Sequence, residues 1–245
     1  MRVTVLGSSG GYPAPGSACS GYLLEVGSTV VWIDAGSGTL SRLLERRSFD
    51  DLTALLISHL HADHWTDVPL AIHALRFVGD RERPLPAYGP PGWPETMGIV
   101  AQWAREDPAA FVPSELHERE AIDLGEISVE PIHVEHSDLE TFGFRLTDGA
   151  SVVAYSADSG PCEALYALAA DADLFICEAG APDREQPWMH LTARQAGEIA
   201  AEAGVRRLVI THLAPRDDPE RALTAARAAF AGPVELALEG LAIET

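Results

Sequence analysis

The sequence predicts an α/β protein with a four-layer αββα architecture, in which two sheets pack face to face with helices outside. Apolar runs rich in Val, Ile and Leu recur along the chain, strands dominate its first part, and helices and strands alternate in its second half. The chain has 245 residues, 47% of them hydrophobic, which suffices for a substantial core. Because no long linker or clear repeat interrupts it, we expect one domain spanning residues 1–245.

The first part of the chain is predicted to supply most of the strands. Strands are expected at about 2–7, 20–26, 29–34 and 53–58, and then, in meander order, at 126–134, 141–147 and 150–156. Helices are expected after His61, over about 68–78 and over 93–105. Proline and glycine break residues 79–92, which should be mostly loop around a short strand. The acidic stretch that follows the predicted helix at 93–105 predicts no clear element.

The second half alternates between helices and strands. Helices are predicted near 161–169, at 192–203 and at 218–230, and they precede the strands DLFICEA, RRLVITH and a last short strand. Thr192 can cap the helix that follows it, with Gln195 in the capping-box position.

Charge and cysteine content restrict the possible functions. Asp and Glu outnumber Lys and Arg by 37 to 17, which gives a net charge of −20, and all 17 basic residues are arginines. A field of that sign repels polyanions, so a long nucleic acid is a disfavoured ligand. The three cysteines form no CxxC pair, so neither a disulfide framework nor a thiolate zinc site is indicated, and we expect them to be reduced and mostly buried. No apolar run is long enough to cross a bilayer and the first residues resemble no secretion signal, so cytoplasm is the expected location.

The stretch ISHLHADHWTD, residues 57–67, concentrates imidazole and carboxylate groups directly after a predicted buried strand. His59 and His61 are two positions apart, and Asp63 and His64 follow where a helix should begin. Adjacent helical residues diverge by about 100°, so Asp63 and His64 should start in different directions. Imidazole and carboxylate suit Zn²⁺ and related ions. The pattern predicts one ion held by His59 and His61 and a second held by Asp63 and His64; the alternative is a histidine-rich surface turn.

Two ions need further ligands, and three later strands end in suitable residues. His136 follows ISVEPIHV, Asp158 follows SVVAYSA, and His212 follows RRLVIT. Each stands where an apolar run gives way to a polar turn, the edge at which open α/β sheets place ligands. Alone, each would more often be structural, but together they complete a seven-ligand site in which Asp158 could bridge the ions.

These residues resemble the metallo-β-lactamase superfamily. The similarity runs from VTVLGSSGG through WIDAGSGT and HLHADH to VITHLAPR, and so covers nearly the whole chain. It implies an αββα fold and a dinuclear metal site, with two divalent ions, Zn²⁺ first and Mn²⁺ or Fe²⁺ as alternatives. Asp34 in WIDAG matches an acid of the superfamily near the ligand loop, and it is expected to orient a ligand or to stabilise a turn.

One segment points to a branch within the superfamily. MHLTARQAGEIAAEAGVRRLVITHLAPR is similar to ribonuclease Z-like phosphodiesterases, in which a histidine corresponding to His190 assists proton transfer or steadies the phosphate. His190 precedes a helix N-terminus, where anions are favoured; the alternative is a capping or solvent-exposed histidine. ICEAG resembles the HEAT motif of that branch, with Glu178 as its acid, Cys177 in place of its histidine and Gly180 in place of its threonine. Glu178 is therefore expected to orient His190 or a ligand.

A small phosphodiester is the favoured substrate. Ribonuclease Z carries an extended arm for tRNA between the third and fourth metal motifs, whereas here His136 and Asp158 are only 22 residues apart and two strands occupy the gap. SGYLLEV, YSADSG and LFICEA resemble short actinobacterial-type members that open cyclic nucleotides such as cyclic AMP. In the expected reaction, water activated between two ions attacks phosphorus, Asp63 holds an ion and handles a proton, and His190 donates to the leaving oxygen.

Three other functions remain open from the sequence: a ribonuclease Z-type endonuclease, a lactonase or β-lactamase, and a non-catalytic metal- or nucleotide-binding module. Relatives also suggest a homodimer. The loops near 8–18, 79–92 and 105–120 are expected to shape the substrate pocket.

Overall fold

The computed structural model describes residues 1–78, 84–104, 110–182 and 188–245. Two seven-stranded sheets pack face to face, and helices cover the outer side of each. The predicted αββα architecture is confirmed.

The first sheet contains the N-terminal strands and the last strand of the chain. Its order is β14–β1–β2–β3–β4–β5–β6, and the bounds are β1 Arg2–Gly7, β2 Gly21–Val26, β3 Thr29–Ile33, β4 Ala54–Leu56, β5 Leu85–Gly89, β6 Phe111–Glu115 and β14 Ala242–Glu244. The pairs from β3 to β6 are parallel. The carboxyl ends of β3 and β4, from which Asp34 and the histidine-rich stretch emerge, therefore lie at the same edge of this sheet.

The second sheet repeats this arrangement with the later strands. Its order is β13–β12–β11–β10–β9–β8–β7, and the bounds are β7 Ile122–Leu124, β8 Ile127–Val134, β9 Thr141–Thr147, β10 Val152–Tyr155, β11 Leu174–Glu178, β12 Leu208–Thr211 and β13 Val234–Leu236. The predicted meander β8–β9–β10 is antiparallel, and β10 to β13 are parallel. Asp158, Glu178 and His212 thus stand at the carboxyl ends of three neighbouring parallel strands.

Six helices cover the sheets, namely α1 Thr39–Leu44, α2 Val68–Val78, α3 Trp93–Ala104, α4 Ala164–Ala169, α5 Ala193–Glu202 and α6 Pro219–Ala229 in the described part of the chain. The predicted cap of α5 is present, with Thr192 and Gln195 in a reciprocal capping box. Within the described residues, no helix is long and apolar enough to cross a membrane.

Three apolar cores hold the layers together. One lies between the sheets, one between the second sheet and α4–α6, and one between the first sheet and its helices. Strand β3, with the sequence TVVWI, is buried on both faces: Val31 and Ile33 point to the central core, Val30 and Trp32 to the outer one. Buried area of this kind is the dominant favourable term in folding, and it fixes the strand ends that carry the polar residues.

The structure adds four elements to those expected. Helix α1 and strands β6 and β7 were not predicted, and the single last strand is two strands, β13 and β14. The helix expected after His61 is a 3₁₀ turn over Ala62–His64. All three cysteines are free, Cys19 and Cys177 buried and Cys162 half-buried.

Candidate metal centre

All seven predicted ligands lie together at one end of the sandwich. Each follows a strand: β4 leads to His59, His61, Asp63 and His64, β8 to His136, β10 to Asp158, and β12 to His212. A hydrogen bond from Phe142 N–H to Ser58 O, 3.0 Å long, joins the two sheets beside them. Sequence-distant residues thus meet because both sheets place these strand ends at the same edge.

The first group of potential ligand atoms comprises three imidazoles and one carboxylate, from His59, His61, His136 and Asp158. His61 Nδ1 lies 3.1 Å from His59 Nε2 and 2.9 Å from His136 Nε2. Asp158 Oδ2 lies 3.7 Å from His59 Nε2 and 3.8 Å from His136 Nε2. All four donor atoms converge closely enough to coordinate one ion.

The second group comprises Asp63, His64, His212 and, again, Asp158. His212 Nε2 lies 3.0 Å from Asp158 Oδ2, and Asp63 Oδ2 lies 3.7 Å from His64 Nε2. Asp63 and His64 start in different directions along the chain, and their donor atoms meet in one group, as the predicted second ion requires. Asp34 Oδ2 accepts a 2.7 Å hydrogen bond from His64 Nδ1, and this contact leaves Nε2 of the same ring facing Asp158 Oδ1 at 3.3 Å and Asp63 Oδ2 at 3.7 Å.

Two buried atoms in the second group indicate that a cation fits there. His64 Nε2 and Asp158 Oδ1 face each other at 3.3 Å, yet neither makes a hydrogen bond within the described residues. The two atoms are paired by charge without hydrogen-bond geometry, and a buried polar atom that lacks a hydrogen bond costs free energy. A divalent ion coordinated by both atoms would remove that cost.

The electrostatics of the cluster also suit metal ions. Burial alone would raise the pKa of Asp158, but His212 and His64 hold it well below its ordinary value, so the carboxylate stays ionised. Burial would lower the pKa of His64, whereas Asp158 and Asp34 raise it well above its ordinary value. A proton on His64 and a metal ion are alternative ways to balance these carboxylates.

In the first group, burial keeps imidazoles neutral. Burial, reinforced by the charge of His64, holds the pKa of His59 well below its ordinary value, and burial likewise lowers the pKa of His136. Metal ligands must be deprotonated, and a neutral imidazole is the form that coordinates Zn²⁺.

Asp34 is fully buried behind the second group and accepts four hydrogen bonds. Oδ1 accepts from Ser58 N–H at 2.8 Å. Oδ2 accepts from the Ser58 hydroxyl at 2.9 Å, from His64 Nδ1 at 2.7 Å and from the Tyr155 hydroxyl at 2.7 Å. Asp34 contacts His64 through the ring nitrogen that faces away from Asp158, the position from which it would orient His64 as a ligand.

The other histidines are oriented in the same way. Ser20 Oγ lies 3.0 Å from His212 Nδ1, Met189 O lies 2.7 Å from His136 Nδ1, and Ser58 Oγ lies 3.1 Å from His59 Nδ1. Partners of this kind fix the tautomer and ring orientation of metal-binding histidines.

The backbone is left-handed at several positions beside the cluster. Asp34 has φ 52°, Ala157 has φ 53° and His212 has φ 55°. Non-glycine residues in this region cost about 1–3 kcal/mol each, and they concentrate at functional sites. The surrounding strands over-determine these turns, since Ser156, Ala179 and Asp34 each donate a backbone N–H to a neighbouring strand.

His190 stands next to the ligands on a support of its own. Its Nδ1 lies 2.9 Å from Glu178 Oε1, and its ring centroid lies 4.9 Å from that of His136 and 5.5 Å from that of His212. Burial alone would lower the pKa of His190, but the hydrogen bond and charge of Glu178, with Asp158 and Asp63, raise that pKa to about 9. Glu178 is itself buried and accepts from the N–H groups of Ser159 and Gly180.

Two departures from the ribonuclease Z-like pattern have a structural explanation. Cys177 is fully buried in the core between the second sheet and its helices, on the face of β11 away from the ligands. A Cβ on Gly180 would lie 3.1 Å from His190 Nδ1 and 3.3 Å from His212 Cδ2. A threonine at position 180 would therefore crowd His190, and glycine allows the present packing.

The ligand cluster opens into a cavity of about 360 Å³, which is lined by Gly10, Gly11, Tyr12, His61, Asp63, Asp158, Gly180, His190, His212 and Ala214. This volume is at the lower end of the range for small-molecule sites, about 300–1,000 Å³. The expected contribution of loop 8–18 is present. The loops near 79–92 and 105–120 contribute no described lining residue, and their segments 79–83 and 105–109 lie outside the described residues.

Sequence reasoning missed several residues that hold the ligands in place. The hydroxyl of Ser20 contacts His212, and the hydroxyls of Ser58 and Tyr155 contact Asp34, which in turn contacts His64. Gly11 N–H donates to Asp63 Oδ2 at 2.7 Å. The only signal in the sequence was that Ser58 and Tyr155 place hydroxyl groups within strands predicted to be buried. Buried hydroxyl groups require hydrogen-bond partners.

Comparison with known proteins identifies the family. The model for the Beta-lactamase superfamily domain matches residues 29–213. The chain belongs to this superfamily, as its resemblance had indicated. Together with the histidine–aspartate groups, this membership marks it as a metallo-hydrolase with a site for divalent metal ions.

Three relatives cover almost the whole chain. The protein ML1173 of Mycobacterium leprae is 38% identical over 98% of this chain and 87% of its own length. The probable metallo-hydrolase YhfI of Bacillus subtilis is 32% identical over the full length of both chains. Ribonuclease Z of Myxococcus xanthus is 28% identical over 100% of this chain and 97% of its own length.

Solved structures show the same architecture. The crystal structure of YhfI from Bacillus subtilis superposes with a TM-score of 0.91, covers 100% of this chain and 98% of its own, and is 29% identical. Human tRNase Z, short form, gives a TM-score of 0.81 at 22% identity, with 100% and 99% coverage. A diphosphatase from the PhnP family gives 0.76 at 21% identity, with 100% and 97% coverage. At their level of identity, these last two likenesses show the shared fold alone.

Proposed function

We propose that the protein hydrolyses a small phosphodiester, with a cyclic nucleotide such as cyclic AMP as the favoured substrate. The observation that carries the proposal is the position of His190. This residue is held by Glu178 and lines the same cavity as His61, Asp63 and His212. His190 would therefore serve as a proton donor beside the proposed ligands, within a cavity of small-molecule size.

The seven residues of the two groups would hold two divalent ions, with Zn²⁺ as the favoured metal. Ions in this position would lower the pKa of bound water toward neutrality and stabilise negative charge on the phosphoryl oxygens. Asp158 contributes to both groups and would therefore help to hold either ion. Asp63, held in place by Gly11 N–H, would bind one ion and accept or pass a proton.

His190 would protonate the leaving oxygen. Glu178 occupies Nδ1, so Nε2 is the nitrogen that can face the substrate. The hydrogen bond and charge of Glu178 raise the pKa of His190, which favours a ring that carries a proton. A protonated ring would also offset charge that develops on the phosphate, where preorganised groups contribute most.

A ribonuclease Z-type endonuclease is the second candidate. It is favoured by the near-complete coverage of Myxococcus xanthus ribonuclease Z and by the fold shared with human tRNase Z. The net charge of −20 opposes a long polyanion. For this reason we place the small phosphodiester first.

A direct comparison of substrates tests the proposal. Metal-loaded protein is assayed with 3′,5′-cyclic AMP, a precursor tRNA, a chromogenic phosphodiester and a lactone, at fixed moderate salt because nucleic-acid affinity depends on it. We expect kcat/KM for cyclic AMP to exceed that for precursor tRNA by at least about tenfold, a difference of about 1.4 kcal/mol in transition-state stabilisation. Faster cleavage of precursor tRNA, faster hydrolysis of the lactone, or ligand binding without turnover would each overturn it.

A further inference from the structure

We propose that Tyr12 is a specificity-determining residue: its ring stacks on the base of the substrate, so that the site selects a phosphodiester that carries a flat aromatic base. This inference rests on the proposed function, because it names the substrate class of that same site. Tyr12 lines the cavity of the ligand cluster, and 49% of its surface is exposed.

The residues before Tyr12 are packed directly against the proposed ligands. A Cβ on Gly10 would lie only 2.5 Å from His212 O, and the Gly10 N–H donates to Leu213 O at 3.0 Å. Gly11, with φ 74°, donates its N–H to Asp63 Oδ2 at 2.7 Å. Tyr12 is therefore held one residue after the contact with Asp63 and two residues after the contact with His212, and it lines the cavity.

The loop that carries Tyr12 is also fastened at its other end. Glu239 Oε1 accepts a hydrogen bond from the Ser17 hydroxyl and another, 2.9 Å long, from Ala18 N–H. Within the loop, the Ser9 hydroxyl donates to Tyr12 O at 2.8 Å. An aromatic side chain on a fastened loop loses little conformational freedom when a ligand binds, which favours its use as a binding surface.

The ring of Tyr12 would provide recognition of the base, which the rest of the cavity lacks. The other lining residues are glycine, alanine and the histidine and aspartate side chains of the cluster, which suit a phosphate and its ions. Among the lining residues that the structure describes, Tyr12 offers the one flat surface outside the cluster and His190. Every nucleobase has a face that can stack, so this ring would favour bases as a class rather than one base.

The test compares ligands with and without a base. Metal-loaded wild type, Tyr12→Ala, Tyr12→Phe and the control Tyr166→Ala are titrated calorimetrically with adenosine 5′-monophosphate and with ribose 5-phosphate. Tyr166 is also partly exposed but lies on α4, outside the lining of this cavity. We expect the wild type to bind the nucleotide more tightly than the sugar phosphate by about 5-fold to 150-fold, the range that one base–aromatic stack provides.

In Tyr12→Ala that preference should fall to within about twofold, while Tyr12→Phe and Tyr166→Ala retain it. Equal binding of the two ligands by wild type, or an unchanged preference in Tyr12→Ala, would overturn the inference. Loss of the preference in Tyr12→Phe would also overturn it, because the hydroxyl rather than the ring would then be responsible. Turnover of cyclic AMP by wild type is measured separately, so that failure of the proposed function is distinguished from failure of this inference.

Discussion

Replacement of Asp34 by asparagine should weaken the second group of ligands more than the first. Asparagine has nearly the shape of aspartate but carries only one acceptor oxygen and no charge. Asp34 Oδ1 accepts from the Ser58 N–H. Asp34 Oδ2 accepts from the Ser58 hydroxyl, from His64 Nδ1 and from the Tyr155 hydroxyl. Either orientation of the amide therefore places an NH₂ group against at least one donor and removes the charge that orients His64.

The magnitude follows from these contacts. Loss of such an orienting partner typically lowers metal affinity by about 10- to 100-fold, or about 1.4–2.7 kcal/mol. His64 belongs to the second group, whereas Asp34 reaches the first group only through Ser58, whose hydroxyl lies 3.1 Å from His59 Nδ1. We therefore expect the affinity for one of two bound ions to fall by that factor and the affinity for the other to change less.

The assay is a titration of metal-loaded protein with a competing chelator, with metal content measured by elemental analysis at each step. Wild type and Asp34→Asn are compared with Asp123→Asn, which changes the net charge equally at an exposed position on β7. Folded Asp34→Asn protein that releases both ions at the wild-type chelator concentration would refute the assignment of Asp34 as the residue that orients His64.

Three further predictions concern His190, its support and the ions. His190→Ala should leave metal content normal and lower phosphodiester turnover by about 10²- to 10⁴-fold, whereas His133→Ala, at an exposed histidine on β8, should change neither; normal turnover by His190→Ala would remove this residue from the reaction. Glu178→Gln should lower kcat at normal metal content. Because Glu178 acts through the ring of His190, the double variant Glu178→Gln, His190→Ala should be no slower than His190→Ala alone. Additive losses in the measured rates would contradict this. Removal of both ions should lower the melting temperature by about 11–22 °C, from about 2.7 kcal/mol for each of two sites at a metal concentration of 100 Kd and about 2–4 °C per kcal/mol. Circular dichroism should stay native, and complete loss of the native spectrum would show that the fold depends on the ions.

The order of elements and the architecture were predictable because they depend on hydrophobic pattern. Strand β3 is a continuous apolar run, whereas helix α5 carries a clear apolar period and has its capping box. By contrast, α1 has only six residues, TLSRLL, and β6, with the sequence FVPSE, contains a proline that a sequence reading assigns to a loop. Both elements are formed by packing against neighbouring strands and loops, which local pattern does not encode.

The convergence of the proposed ligands was predictable for a different reason. His136, Asp158 and His212 each follow a strand that could be recognised, and parallel strand ends meet at one edge of a sheet. The residues that orient them could not be found in this way. Tyr155 looks like an ordinary core side chain, and its contact with Asp34, which is 121 positions away, exists only because the two sheets face each other.

The left-handed turns at Asp34, Ala157 and His212 bear on how the protein acquires its ions. They are held by strands whose apolar cores contain none of the seven proposed ligands, so the arrangement of nitrogen and oxygen atoms should persist when the ions are removed. Zinc fingers behave oppositely, because they collapse into shape only around their metal. A preformed site of this kind would exchange one cation for another without unfolding of the chain. The bound cation would then reflect the local supply of metals throughout the lifetime of the molecule.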